Sequence, residues 1–139
     1  MEKKTILIVE DDLEVCNLYK FLLEKENYIV HEVHTGREAL ITLGLEVPTH
    51  NESAPLLPLV PDIILLDIML PEVDGFTILS RLLQDEQLKR IPVIVITAKS
   101  QMSDLFVSSS NVKHFFSKPF DPKLLREKIR QIIVQDTHL

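Results

Sequence analysis

Pro61-Asp62-Ile63-Ile64-Leu65-Leu66-Asp67-Ile68-Met69-Leu70-Pro71 is the stretch on which the fold turns: a short apolar run that closes on an aspartate, with a proline beyond it at each end. A run of that length and composition reads as a strand buried on both faces, the form strands take inside a parallel sheet. A second run, Thr5–Val9, closes on Glu10-Asp11-Asp12. In an open parallel sheet the carboxyl ends of the strands line the ligand crevice. The chain therefore gathers carboxylates where a site belongs.

That gathering is costly. Two unit charges about 5 Å apart at an effective dielectric of about 20 repel by roughly 3 kcal/mol, and three clustered carboxylates oppose one another by on the order of 10 kcal/mol. Compensation must come from something positive. Lys118, in Phe116-Ser117-Lys118-Pro119-Phe120, is the organic candidate. A divalent cation is the inorganic one, and a few charged oxygen ligands with coordination left open suit Mg²⁺.

Outward from the central strand, strand and helix signals alternate five times, the pattern of a parallel sheet with helices on both faces. Strands are expected at Thr5–Glu10, Tyr28–Val33, Ile63–Asp67, Pro92–Thr97 and His114–Ser117. The first helix is expected from about Leu13 to Glu26, with Leu18, Phe21 and Leu22 in its buried stripe and Asn27 as a left-handed cap. Gly36 and Arg37–Leu43 form the second, turning Ala39, Leu40 and Leu43 inward. Asp74 caps a third over roughly Phe76–Asp85. A weak fourth falls between Gln101 and Ser110, and Asp121-Pro122 opens the last, with Leu124, Leu125, Ile129, Ile132 and Ile133 facing the core. Gly44–Pro61 carries four prolines, which forbids a continuous helix or central strand and predicts a long surface insertion between the second helix and the third strand.

At 139 residues the chain is expected to be one domain, residues 1–139. Its net charge of −6, with no long Lys/Arg run, argues against direct nucleic-acid binding or an anionic membrane surface. No apolar stretch reaches membrane-spanning length, and the single Cys16 excludes an internal disulfide. A cytoplasmic protein with Cys16 in a packing role is the expectation. His31, His34, His50, His114 and His138 show no ligand spacing, which argues against zinc.

Four motifs in order carry a resemblance: Ile6–Asp12, Pro61–Pro71 continuing to Asp74-Gly75, Pro92–Ala98, and Lys118-Pro119-Phe120. Together they make the chain resemble, over essentially its whole length, the CheY-like receiver domain of two-component response regulators. The resemblance implies a flavodoxin-like, doubly wound sheet in order 2-1-3-4-5 flanked by five helices. It implies phosphoryl transfer from a histidine kinase or histidine phosphotransfer protein to an aspartate, which Asp67 matches. Asp11, with Glu10 helping directly or through water, matches the Mg²⁺ carboxylates beside Asp67, and the Met69 backbone carbonyl matches the neutral ligand. Thr97 and Lys118 match the groups that bind the phosphoryl oxygens. Asp12 reads as the first helix's cap, and the family's Lys-Pro bond, here Lys118-Pro119, is typically cis.

The resemblance also implies a switch, with Thr97 drawn toward the phosphoryl group and Phe115 turning inward. The output face would be the fourth helix, fifth strand and fifth helix, acting on an unidentified partner or through a phosphorylation-dependent dimer. Asn111-Val112-Lys113-His114 departs from the family's usual residues there and lacks the acidic partners of one common dimer interface. Ala98 leaves access to Asp67 open, while Lys99 and Met69 offer no group to orient a water, so the acyl phosphate is expected to be long-lived. Taken singly, these residues have plainer roles: Glu10-Asp11 as helix caps, Asp67 as a turn residue, Thr97 as packing, Lys118 as a solvated side chain. Two functional alternatives stand beside the phosphoacceptor. One is a pseudo-receiver that only binds protein; the other is an aspartyl-phosphate hydrolase, whose second acid would occupy the position of Met69.

Overall fold

A computed structural model describes residues 2–98 and 110–136. Its elements in chain order are β1 (Thr5–Val9), α1 (Leu13–Glu24), β2 (Ile29–Val33), α2 (Gly36–Thr42), β3 (Ile63–Asp67), α3 (Gly75–Leu83), β4 (Val93–Thr97), β5 (Val112–Ser117) and α4 (Pro122–Asp136). The strands form one sheet, all parallel, in the order β2-β1-β3-β4-β5. The expected topology is therefore present. Four helices lie among the described residues; the weak fourth helix expected between Gln101 and Ser110 lies, all but Ser110, outside them.

Strand alternation divides the core into two layers. Leu7, Val9, Ile64, Leu66, Val93 and Val95 face α2 and α3, while Ile6, Ile8, Ile63, Leu65, Ile94 and Ile96 face α1 and α4. Every residue of β3 and β4 is buried, so these strands need apolar side chains at successive positions and lack the polar alternation of an edge. Asp62 fixes where β3 begins: its Oδ2 accepts from the Thr5 backbone N–H at 2.7 Å, tying the foot of β3 to that of β1.

The caps follow the sequence. Asp12 accepts from the Glu14 and Val15 N–H groups, Asp74 from Thr77, and Asp121 from Lys123. Asn27 adopts φ 68°, the left-handed conformation expected after α1. The buried face of α1 differs from expectation. Cys16, Tyr19 and Leu23 pack on the sheet, whereas Leu18 and Phe21 are exposed and Leu22 is half-buried. This helix is apolar on several sides, so periodicity alone could not choose the face. In α4, Leu125, Ile129 and Ile132 are buried, but Leu124 is solvent-facing.

The 44–61 insertion lies along α2 rather than hanging free. Arg37 holds Glu52 through two hydrogen bonds of 2.7 and 2.8 Å, Arg81 reaches Glu46 and the Leu45 carbonyl, and Leu59 N–H donates to Thr42 O. Leu45 and Leu59 pack against the α2/α3 side of the core, while Leu56 and Leu57 remain exposed.

Candidate functional site

The carboxyl ends of β1, β3 and β4 and the loop after β5 converge on one acidic pocket. Glu10 follows the last residue of β1, and its backbone N–H donates to Val33 O of β2 at 3.1 Å, which continues the sheet one residue beyond β1. Glu10 is only 2 % exposed. Asp67 ends β3 and is 6 % exposed. Asp11 stands at the solvent side of the same cluster, and one carboxylate oxygen from each of Glu10, Asp11 and Asp67 lies within 4.8 Å of the others.

Lys118 reaches into this cluster from the far side of the sheet. Its Nζ donates to Glu10 Oε1 at 2.6 Å and to Asp67 Oδ2 at 3.2 Å. Two constraints aim it there. Its backbone N–H donates to Thr97 O at 2.8 Å, and the Lys118-Pro119 peptide is cis. Two residues beyond Lys118, Phe120 stacks on Phe116, with centroids 4.9 Å apart. The other oxygens are also engaged: Asp67 Oδ1 accepts from Met69 N–H at 3.0 Å, and Glu10 Oε2 from Asp12 N–H at 3.2 Å.

The electrostatics match the crowding. Burial pushes the Glu10 carboxyl up from 4.5 to about 7; the Lys118 hydrogen bond works against that rise and the Asp67 charge adds to it. Burial by itself would lower the Lys118 ammonium, but its bonds to Glu10 and Asp67 outweigh this and raise it. One cation thus faces three acidic side chains, and the pocket retains an unbalanced negative charge.

Thr97 is fully buried at the tip of β4, in register with Ser117 of β5. Phe115 sits half-buried on β5 and packs against the α2/α3 side of the core. Ala98 is exposed at the mouth, and Lys99 lies outside the described residues. Met69 presents its side chain to solvent at 46 % exposure, so it is not the core residue its hydrophobicity suggests. Beside it a cleft of about 430 Å³ opens between Asp11, Met69, Pro71, Asp74 and Phe76. Gly75 keeps the β3–α3 turn tight: a Cβ there would lie 2.8 Å from Ile68 Cα and 3.0 Å from Asp67 O.

Residues 6–130 match the family model of the response regulator receiver domain. The chain belongs to the response regulator receiver domain family. It is 33 % identical to the DNA-binding dual master transcriptional regulator RpaA of Synechocystis over 129 residues, 92 % of this chain and 48 % of that protein. The receiver thus spans about half the length of the curated relatives it matches. Among solved structures, the phosphorylated cyanobacterial phytochrome response regulator RcpA is 31 % identical, with TM-score 0.71 over 94 % of this chain and 91 % of that one. The receiver domain of sensor histidine kinase PA1611 from Pseudomonas aeruginosa, with magnesium in its active-site cleft, is 23 % identical. Its TM-score of 0.75, over 95 % of this chain and 98 % of that one, speaks for the fold.

The sequence reading missed two contacts of this receiver. Lys118 sits closer to Glu10 than to Asp67, and Cys16 Sγ donates to the Glu10 carbonyl at 3.3 Å. Neither has a linear signature, because both join elements that meet only on folding. The Cys16 thiol is pushed up to about 12 by burial and by the Glu32 charge, as suits its packed position.

Proposed function

We propose that this receiver is a phosphoacceptor of a two-component or phosphorelay system, taking a phosphoryl group from a partner's phosphohistidine onto Asp67. The observation that carries the reading is the Lys118 ammonium bridging Glu10 and Asp67 at the tips of non-adjacent strands. Lys118 offsets only part of the charge of the three carboxylates, and the pocket stays negative. A phosphoryl-transfer site gains an electrostatic clamp.

In the proposed reaction an Asp67 carboxylate oxygen bonds to phosphorus as the phosphorus–nitrogen bond to the partner's histidine breaks, and the imidazole nitrogen leaves. Lys118 and the Thr97 hydroxyl stabilise charge on the phosphoryl oxygens, so positioning and electrostatics supply the catalysis and there is no turnover of an external substrate. The donor set fits Mg²⁺: three carboxylates within 4.8 Å, one of them on an exposed residue, all hard oxygens and more acidic groups than the Lys118 ammonium balances. Asp11, Asp67 and the Met69 carbonyl would hold the ion, with Glu10 next to it. When bound, it would neutralise the carboxylates and the incoming phosphoryl oxygens.

Phosphorylation would then act through Thr97 and Phe115 on the face made by β5 and α4, where the output partner or a second copy of the receiver would dock. The net charge of −6 favours protein over nucleic acid as the direct contact of this stretch, and a kinase-fed pathway favours the cytoplasm. Incubation with Mg²⁺ and a small phosphodonor, read by intact mass, tests the proposal. One phosphoryl adduct is expected on the native chain and none on Asp67→Asn; an adduct that survives the substitution, or none on either, overturns it.

A further inference from the structure

A second ligand cluster lies on the α1-facing side of the sheet edge, outside the acidic pocket. Alternation along β2 turns Glu32 to the side of Val30, the side on which Cys16 is buried, and His34 follows two residues later. Cys16 Sγ, a Glu32 carboxylate oxygen and a His34 ring nitrogen all lie within 4.8 Å of one another. Glu32 Oε2 and His34 Nε2 are buried atoms without a hydrogen-bond partner among the described residues. The distance from His34 Nε2 to Glu32 Oε1 is 3.7 Å, too long for a hydrogen bond. Buried polar atoms without partners, here on two half-exposed residues, call for an explanation, and an unseen ion is one of the few that serves both at once.

We propose that Cys16, Glu32 and His34 form a Zn²⁺ site. The donor set of one sulfur, one nitrogen and one oxygen suits zinc and does not suit Mg²⁺ or Ca²⁺, which take oxygen alone. Bond lengths of roughly 2.0–2.3 Å put tetrahedral ligands roughly 3.3–3.8 Å apart, so a present spacing within 4.8 Å needs to close by about 1.5 Å at most. A thiolate and a carboxylate neutralise the dication, and neutral imidazole completes three protein ligands with the fourth position left for water. On binding, the Cys16 thiol loses its proton to solvent and the sulfur–zinc bond replaces the sulfur's contact with Glu10 O. The ion would pin the first turns of α1 to the end of β2. The histidines taken alone did not point here, because the other two ligands are of different residue types and one comes from another element.

The test titrates the native chain with Co²⁺, as the optical surrogate for Zn²⁺, under excess Mg²⁺ that occupies the oxygen-lined pocket. One equivalent is expected to give a thiolate-to-cobalt charge-transfer band with intense tetrahedral ligand-field bands, both abolished by one equivalent of Zn²⁺. Glu32→Gln and His34→Gln, at half-exposed positions that leave folding intact, are each expected to weaken Zn²⁺ binding at least 10-fold in a chelator competition. Asp67→Asn should leave it unchanged. Absence of the charge-transfer band on the native chain overturns the proposal without recourse to any variant. So does Zn²⁺ binding that persists in His34→Gln and disappears in Asp67→Asn, which would place the ion in the acidic pocket.

Discussion

Lys118 has the most consequential side chain in the chain because it alone supplies positive charge to the acidic pocket among the described residues. Replacing it by methionine keeps most of the stem packing and deletes the ammonium, leaving Glu10 and Asp67 to face each other across a buried pocket. Breaking a buried pair in this way costs about 3 kcal/mol, and removing one preorganised donor slows a transfer step about 10²-fold. Lys118→Met is therefore expected to unfold at lower urea in the absence of Mg²⁺ and to accumulate the phosphoryl adduct about 10²-fold more slowly, in a mass time course. A variant that is phosphorylated at the native rate would remove Lys118 from the chemistry.

Elements hold this residue geometry through close approaches that tolerate no added atoms. Gly75 opens α3 directly beneath Asp67, and its added Cβ would meet Ile68 Cα at 2.8 Å. Gly75→Ala is expected to cost about 2 kcal/mol by overpacking and, because the β3–α3 turn must shift, to slow adduct formation as well. A substitution that lowers stability alone would show that the turn does not position Asp67. A second device ties the end of α1 to α4: Glu26 accepts from Arg130 at 2.6 Å and lies 3.6 Å from Arg126. The Arg130 hydrogen bond holds the Glu26 carboxyl below its ordinary 4.5. A depressed carboxyl adds stability above the ordinary value and loses it as pH falls through the lowered one. Arg130→Ala should thus lower Tm slightly at neutral pH, with the gap to the native chain narrowing in acid; a gap that widens in acid would contradict the assignment.

At the scale of the whole molecule, the sheet order places β1 and β3 at the centre, so the first and third strands deliver Glu10, Asp11 and Asp67 side by side. The 44–61 insertion joins the opposite end of β3 and lies along α2. Exchanging residues 48–57 for a short Gly-Ser linker is expected to leave the rate of adduct formation on Asp67 unchanged, measured beside the native chain. A large loss of rate would show that the insertion supports the site.

Most of the fold was legible because local rules agreed with the tertiary outcome. The apolar runs of β3 and β4, the aspartate caps at Asp12, Asp74 and Asp121, and the left-handed Asn27 each need only their neighbours to be read. The site residues were nameable for a related reason: strand ends in a parallel sheet have one place to go. What the sequence by itself determined was which side chains lie at those ends. Only the tertiary structure decided that Lys118 seats closest to Glu10, that α1 buries Tyr19 and Leu23 instead of Leu18 and Phe21, and that Glu32 and His34 meet Cys16. Those outcomes depend on distances between elements remote in the chain, and no periodicity or spacing along one segment encodes the angle at which two elements pack.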